Sequence, residues 1–294
     1  MSGLVKRYPF AVHDVHGQDE YVHQPLLSAA VVDEQLIAQK REALVVRAHA
    51  AFDATCWEHV QILRSLWSHA FPDDEPFQRV GARWGERLGF QGKDPASDLR
   101  GSGLLSLQHL ERFLPTVGSS FVSEQRCHEV AGFPLALASF SCTAMLCKYF
   151  CLNSSLIFPG SQEQQAPPHV IAAFDLLNAE TTHDLLQLMH ARLLLHLATM
   201  WSDMRQKSAA MTVMDFPVAL KSTYRHLHAA VCATAQPWHI SALMTTLERK
   251  PAGAQEAFDG GVCTMTFTFV WLLIARIACG ALPMPSQAQH ATAR

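Results

Sequence analysis

The sequence predicts an all-α fold, a single multi-helical domain, on two observations. Apolar residues recur at i, i+3 and i+4 in segment after segment, the period of an amphipathic helix. No segment sustains the alternation of a half-buried strand, and no internal repeat is present. Residues 1–32 read as a poorly ordered lead-in, 33–282 as the domain and 283–294 as a tail. A first helix is expected from Asp33 to Ala51. A second begins at TCWE, where Thr55 and Glu58 have capping-box spacing. Its apolar face would be Trp57, Val60, Leu63, Leu66 and Trp67, and it ends at FPDDEP because proline cannot continue a helix. LLSLQHLERFL (104–114) lines Leu104, Leu107, Leu110, Phe113 and Leu114 along one side. The segment 132–152 starts a helix with Pro134 in its first turn. FPGSQEQQAPP (158–168) has the composition of an exposed loop. The segment 181–201 opens with Thr181 and Asp184 as a capping pair and carries His183, Gln187 and His190 as a narrow polar stripe. DFPVALKSTYRHLHAAVCA and PWHISALMTTLERK are two further helices, each started by a proline.

A chain of 294 residues can bury a substantial core. Its 17% of charged residues falls below the roughly 25% of an average soluble domain. The net charge of −3 and the lack of any Lys/Arg run give no nucleic-acid footprint. The first residues lack the apolar core of a signal peptide, and Ser2 stands where myristoylation needs glycine. Eight cysteines without a CxxC read as free, mostly buried thiols of a reducing compartment, and the protein as cytoplasmic. The apolar segment 262–284 reads as a buried C-terminal helix. Its uncharged run, Val262 to Ala275, is shorter than the roughly 20 residues that span a bilayer. A membrane-associated tail is the alternative.

Familiar catalytic patterns are missing. Cys142, Cys147 and Cys151 offer no fourth ligand in register for zinc, so they read as core, with Cys147 and Cys151 on one face. The sixteen histidines form no HExxH and read as partly exposed polar positions. There is no GxSxG. GKDPAS fails as a phosphate loop because Asp94, not Ser or Thr, follows Lys93, and a carboxylate there repels phosphate. No metal or cofactor of the chain's own is expected.

One stretch stands apart in composition: GFQGKDPASDLRGSG, residues 89–103. Pro95 breaks the preceding segment, and Ser97 or Asp98 can cap the next helix. Arg100 then lies in or beside the first helical turn, followed by Gly101 and Gly103. Two readings stay open at this point. The loop is a capping turn whose arginine pairs with Asp94 or Asp98, or it presents Arg100 on a low glycine surface against which another backbone can press.

From Trp84 to Phe113 the pattern W…GFQGKDPASDLRGSGLLSLQHLERF resembles the central signature of the ELMO domain. Matching positions are Gly89, Phe90, Gln91, Pro95, Asp98, Arg100, Gly101, Gly103, Leu105, Leu107, Leu110 and Phe113. Weaker similarities in CWEHVQILRSLW, FPLALASFSCT and MDFPVALKSTYRHL extend the resemblance over roughly residues 50–245. It implies a GTPase-activating protein for Arf and Arf-like GTPases, with Arg100 as an arginine finger supplied in trans. On that reading the chain is not an enzyme with its own substrate: the partner brings GTP, magnesium and the water-positioning glutamine. The guanidinium suits the role, being permanently charged and planar. Asp94 and Asp98 would brace the loop, Asp98 capping the helix or holding Arg100. Gln91 would contact the GTPase or its own loop, and Gly101 and Gly103 would give clearance. Trp84, Phe90, Leu107 and Leu110 read as core.

The chain departs from the family pattern at three places. Four residues rather than three separate Trp84 from Gly89, Ser97 stands where threonine is commoner, and Ser141 replaces an asparagine. The rival readings are a scaffold for a Rac exchange factor, a non-catalytic GTPase-binding module and a membrane-peripheral adaptor using 262–284. The scaffold branch carries helical repeats and a PH domain for which this length leaves no room.

Overall fold

The computed structural model describes residues 33–71, 76–99, 102–125, 132–155, 165–208, 210–236 and 238–248, the backbone alone for 118–125. Every regular element among them is helical: α1 (Glu34–His49), α2 (Trp57–Ala70), α3 (Arg83–Leu88), α4 (Gly103–Gln125), α5 (Leu135–Tyr149), α6 (Pro168–Glu180), α7 (Leu185–Lys207), α8 (Phe216–Ala233) and α9 (Ile240–Glu248). The 158–168 loop falls largely, and the 262–284 segment wholly, outside the described residues. Among the described residues no helix is long and apolar enough to cross a membrane, and no group of three potential ligands gathers for a metal.

The helices stack as a chain of neighbours. α4 lies between α2 and α5, α5 between α4 and α7, and α7 packs on α8 and α9; α1 bridges α4 and α6. α5 is apolar on nearly every side and is buried accordingly, with Leu135, Phe140, Cys142, Met145, Leu146 and Tyr149 all in the core. Burial drives the Cys142 thiol well above its usual range and pushes Cys147 up to about 12, so both behave as small apolar core residues. Cys151 leaves the helix in a left-handed conformation (φ 56°) and shares no face with Cys147.

Several local expectations give way to tertiary context. The capping box at Thr55 and Glu58 does not form. Asp53 accepts from both the amide (2.8 Å) and the hydroxyl (2.7 Å) of Thr55, which leaves Cys56 as an N-cap whose side chain caps no backbone amide and donates to the Glu58 carboxylate instead. Trp57 opens α2 at 69% exposure, whereas Leu63, Leu66, Trp67 and Ala70 are buried. Asp184 caps α7 itself, accepting from the Gln187 amide at 3.1 Å, while Thr181 ends α6 instead of pairing with it. α4 runs through Pro115 to Gln125, although Pro115 offers no N–H to the carbonyl one turn back.

The histidines are the largest departure, because among the described residues three of them, His109, His190 and His226, are buried. They form a polar seam through the leucine-rich core. His109 Nδ1 lies 3.0 Å from Thr143 Oγ1, tying α4 to α5, and His190 Nε2 lies 2.9 Å from Ser139 Oγ, tying α5 to α7. The His109 and His190 rings are 4.8 Å apart; His196 stacks on His226 at 3.9 Å. Burial is the main cause that drives His109 well below the usual histidine range, His190 down to about 4 and His196 to about 3.

These lowered values set the direction of acid sensitivity. An unfolded chain takes up histidine protons near about pH 6.5, where the folded chain still excludes them. Stability therefore declines as the pH falls below that point, toward about 4 for His190 and about 3 for His196. The urea midpoint should drop between about pH 7 and about pH 5, and His196→Phe should lessen the drop. A midpoint equal at both values would contradict the neutral buried histidines.

Candidate functional site

The signature loop leaves α3 and enters α4, and each end is held by a glycine. Gly89 caps α3 in the left-handed region (φ 76°), its amide reaching the Gly85 carbonyl at 3.0 Å. A Cβ there would lie 2.8 Å from the Pro134 backbone. Phe90 then anchors the loop in an edge-to-face aromatic cluster. Its ring lies 5.4 Å from Trp84 and 5.6 Å from Phe140, and Trp84 meets Trp67 at 5.0 Å. Each such contact contributes about 0.5–1.5 kcal/mol beyond burial. The Trp84 indole N–H donates to the Gln78 carbonyl at 2.8 Å, so the ring is both buried and satisfied.

The loop's polar side chains are used to hold its own backbone. Asp94 caps the 3-10 turn Pro95–Ser97, accepting from the Ala96 amide at 2.9 Å. Both its oxygens also accept from Arg79, whose second nitrogen lies 3.1 Å from Oδ2. The Arg79 guanidinium foremost, with the Ala96 amide, holds the Asp94 carboxyl below its ordinary value against a smaller opposing effect of burial. Asp98 accepts from the Gln91 amide at 2.5 Å and from the Ser97 hydroxyl at 3.2 Å. Neither Ser97 nor Asp98 caps α4, which starts five residues after Asp98, at Gly103. Gly81 donates to the Lys93 carbonyl at 2.8 Å and fastens the loop to the turn before α3.

Gly103 closes the site and corrects one expectation. Its left-handed backbone (φ 47°) is buried, and a Cβ would stand 2.3 Å from the Ala50 carbonyl oxygen. The same oxygen accepts from the Leu104 amide at 2.9 Å. The clearance at Gly103 therefore serves the end of α1, within the chain, and not an incoming partner.

Of the residues singled out by sequence, Gln91 is exposed with its amide on Asp98, and Asp94 and Asp98 face inward on the loop. Arg100 and Gly101 lie outside the described residues, flanked by buried Leu99 and buried Ser102. Leu107 and Leu110 are fully buried, as Trp84 and Phe90 are nearly so. Sequence reading missed Arg79 and Ala50. Neither carries a local signal, because both act on the loop from a distance in the chain. Ser141, in place of the family's asparagine, donates to the Leu137 carbonyl one turn back at 2.7 Å.

Residues 42–220, more than half of the chain, match the model of the ELMO/CED-12 family. The chain belongs to that family. Among its relatives, ELMO domain-containing protein B of Dictyostelium discoideum is 31% identical over 124 residues, 42% of this chain and 43% of that protein. ELMO domain-containing protein 3 of Homo sapiens is 25% identical over 201 residues, 66% of this chain and 48% of the relative. ELMO domain-containing protein 1 of Homo sapiens is 40% identical over 63 residues, 21% and 19% of the two chains. The matches thus span less than half the length of these curated relatives. No solved structure matches the chain.

Two substitutions separate backbone from surface contributions in this ELMO site. Gly103→Ala combines a left-handed alanine with a backbone clash, and should cost at least about 2 kcal/mol in denaturant unfolding. Arg79→Ala breaks a pair that remains part-exposed, and should cost less than about 1 kcal/mol. The reverse order would sink this account of the loop.

Proposed function

We propose that this ELMO-family chain accelerates GTP hydrolysis on an Arf or Arf-like GTPase, with Arg100 as the finger that enters the partner's active site. The observation that carries the reading is the loop itself, whose two carboxylates already have partners other than Arg100: Asp94 on Ala96 and on Arg79 before α3, Asp98 on Gln91 and Ser97. A capping turn held together by an Arg100–carboxylate pair is not needed to explain the order of this loop. The stretch 79–100 carries five Arg or Lys against three Asp or Glu, in a chain whose net charge is −3. An excess of positive charge beside the signature suits an approach to nucleotide phosphates.

In this mechanism the chain performs no chemistry of its own and needs no cofactor. The guanidinium spreads across two oxygens of the phosphoryl group as charge builds there, and in trans such a residue is worth about 10³ to 10⁵ in rate. Asp94, Asp98, Gly89 and Gly103 are positioning residues, since each holds the loop backbone and none reaches a substrate.

Single-turnover GTP hydrolysis on a panel of Arf and Arf-like GTPases tests the proposal. Wild type should accelerate one of them, and Arg100→Lys should lose at least about tenfold, because lysine keeps the charge without the planar fork. Binding to a GTP-loaded GTPase without acceleration would make the protein a non-catalytic binding module.

A further inference from the structure

At the far end of the helical stack, the turn joining α7 to α8 and the first turn of α8 carry aliphatic side chains that face water. Val213 is 46% exposed, Met214 82% and Val218 61%. Val213 and Met214 sit on a fixed turn, and Val218 on the first turn of the helix that follows it. The Thr212 hydroxyl accepts from the Met214 amide at 3.2 Å, and Asp215 accepts from the Thr212 amide at 2.8 Å, a complete capping box. Phe216 is buried behind them against Trp201, with ring centroids 5.5 Å apart, so the turn is pinned to α7. A rigid element that holds three aliphatic groups outward gains nothing from their exposure in water.

The surroundings are cationic. Along the outer face of α8, Lys221 and Arg225 follow Val218 at one and two turns, all three exposed. Lys207 is exposed at the end of α7, and in the turn that follows the Ser208 carbonyl accepts from the Met211 amide at 3.3 Å. From Trp201 to Gln236 the described residues include four Arg or Lys against two carboxylates: Asp203, one turn before Lys207 on α7, and Asp215, which is turned back into its capping box.

We propose that the 3-10 turn Val213–Asp215 and the outer face of α8, led by Val213, Met214 and Val218 and flanked by Lys207, Lys221 and Arg225, form a contact surface for an anionic lipid bilayer. The aliphatic tip enters the boundary between headgroups and acyl chains, and the ammonium and guanidinium groups lie at the level of the lipid phosphates and carboxylates. Charge complementarity selects this occupant: the patch pairs aliphatic groups with an excess of cations, and the carboxylate on the turn itself, Asp215, is held in its capping box. The inference stands apart from the GTPase reading, since none of these residues belongs to the signature loop.

The test is co-sedimentation of the full chain with vesicles of phosphatidylcholine alone and with about 30 mol% phosphatidylserine, at low and high salt. Binding should require the anionic lipid and weaken with salt. Met214→Asp combined with Val218→Asp should lower binding at least about tenfold with the helical content and melting midpoint retained. Lys221→Gln and Arg225→Gln should each lower it about fivefold. Failure of the wild type to bind would overturn the proposal. So would variants that bind as the wild type does, which would put the contact in another segment such as 262–284. Loss of a dimer on Met214→Asp, without any vesicle binding, would overturn it in favour of a second copy.

Discussion

The close approach of the Ala50 carbonyl to Gly103 is the contact on which the signature loop depends. One oxygen accepts the Leu104 amide and fills the space where any other side chain would begin. That contact sets where α4 starts and where α1 ends relative to it. α4 in turn is the helix against which α2 and α5 both pack. Only glycine meets both requirements, a left-handed backbone and the absence of a Cβ. The second glycine, Gly89, does the same at the other end of the loop against Pro134. Between these two anchors the loop is tied down by Phe90 in the aromatic cluster, by Leu99 in the core and by Asp94 on Arg79. The signature is thus a set of residues that fixes a short backbone path on either side of Arg100 in the sequence.

Much of this was legible in the sequence. The helical period, the buried faces of α2 and α4, the thiols packed at Cys142 and Cys147, and the signature itself all depend on local spacing or residue type. The misses share a physical cause. Thr55 lost its capping role because Asp53, two residues away, is a stronger acceptor for its amide and hydroxyl. Gly103 looked like clearance for a partner because Ala50 is distant in sequence. The histidines were read as half-exposed because burying an imidazole requires a partner, and Thr143 and Ser139 become neighbours only when the helices pack. Arg79, fifteen residues from Asp94, carries no pattern that predicts their pairing.

The α1 and α7 termini show the same economy of charge. Asp184 caps α7 through Oδ1 and accepts from Arg47 of α1 at 2.8 Å and from Arg112 of α4 at 3.0 Å through Oδ2. Three helices meet on one carboxylate. The pairs are part-exposed, so their electrostatic contribution is modest. Their geometric contribution is larger, because a carboxylate bound on both oxygens defines where each helix end stands.

The polar seam does for the interior what the glycines do for the loop. α5 and α7 bury residues of nearly every side, and hydrophobic packing alone is non-directional, so leucine-rich helices could be exchanged between several registers at similar cost. Hydrogen bonds are directional. A one-turn slide of α5 would part Thr143 from His109 and Ser139 from His190 together; Thr143 keeps its bond to the Ser139 carbonyl within α5, but the two imidazoles and the Ser139 hydroxyl lose these partners. Each orphaned group costs about 1–3 kcal/mol. The seam therefore opposes every register but one, at the expense of acid sensitivity, and through α4 it carries that choice of register to the residue that follows the signature arginine's loop.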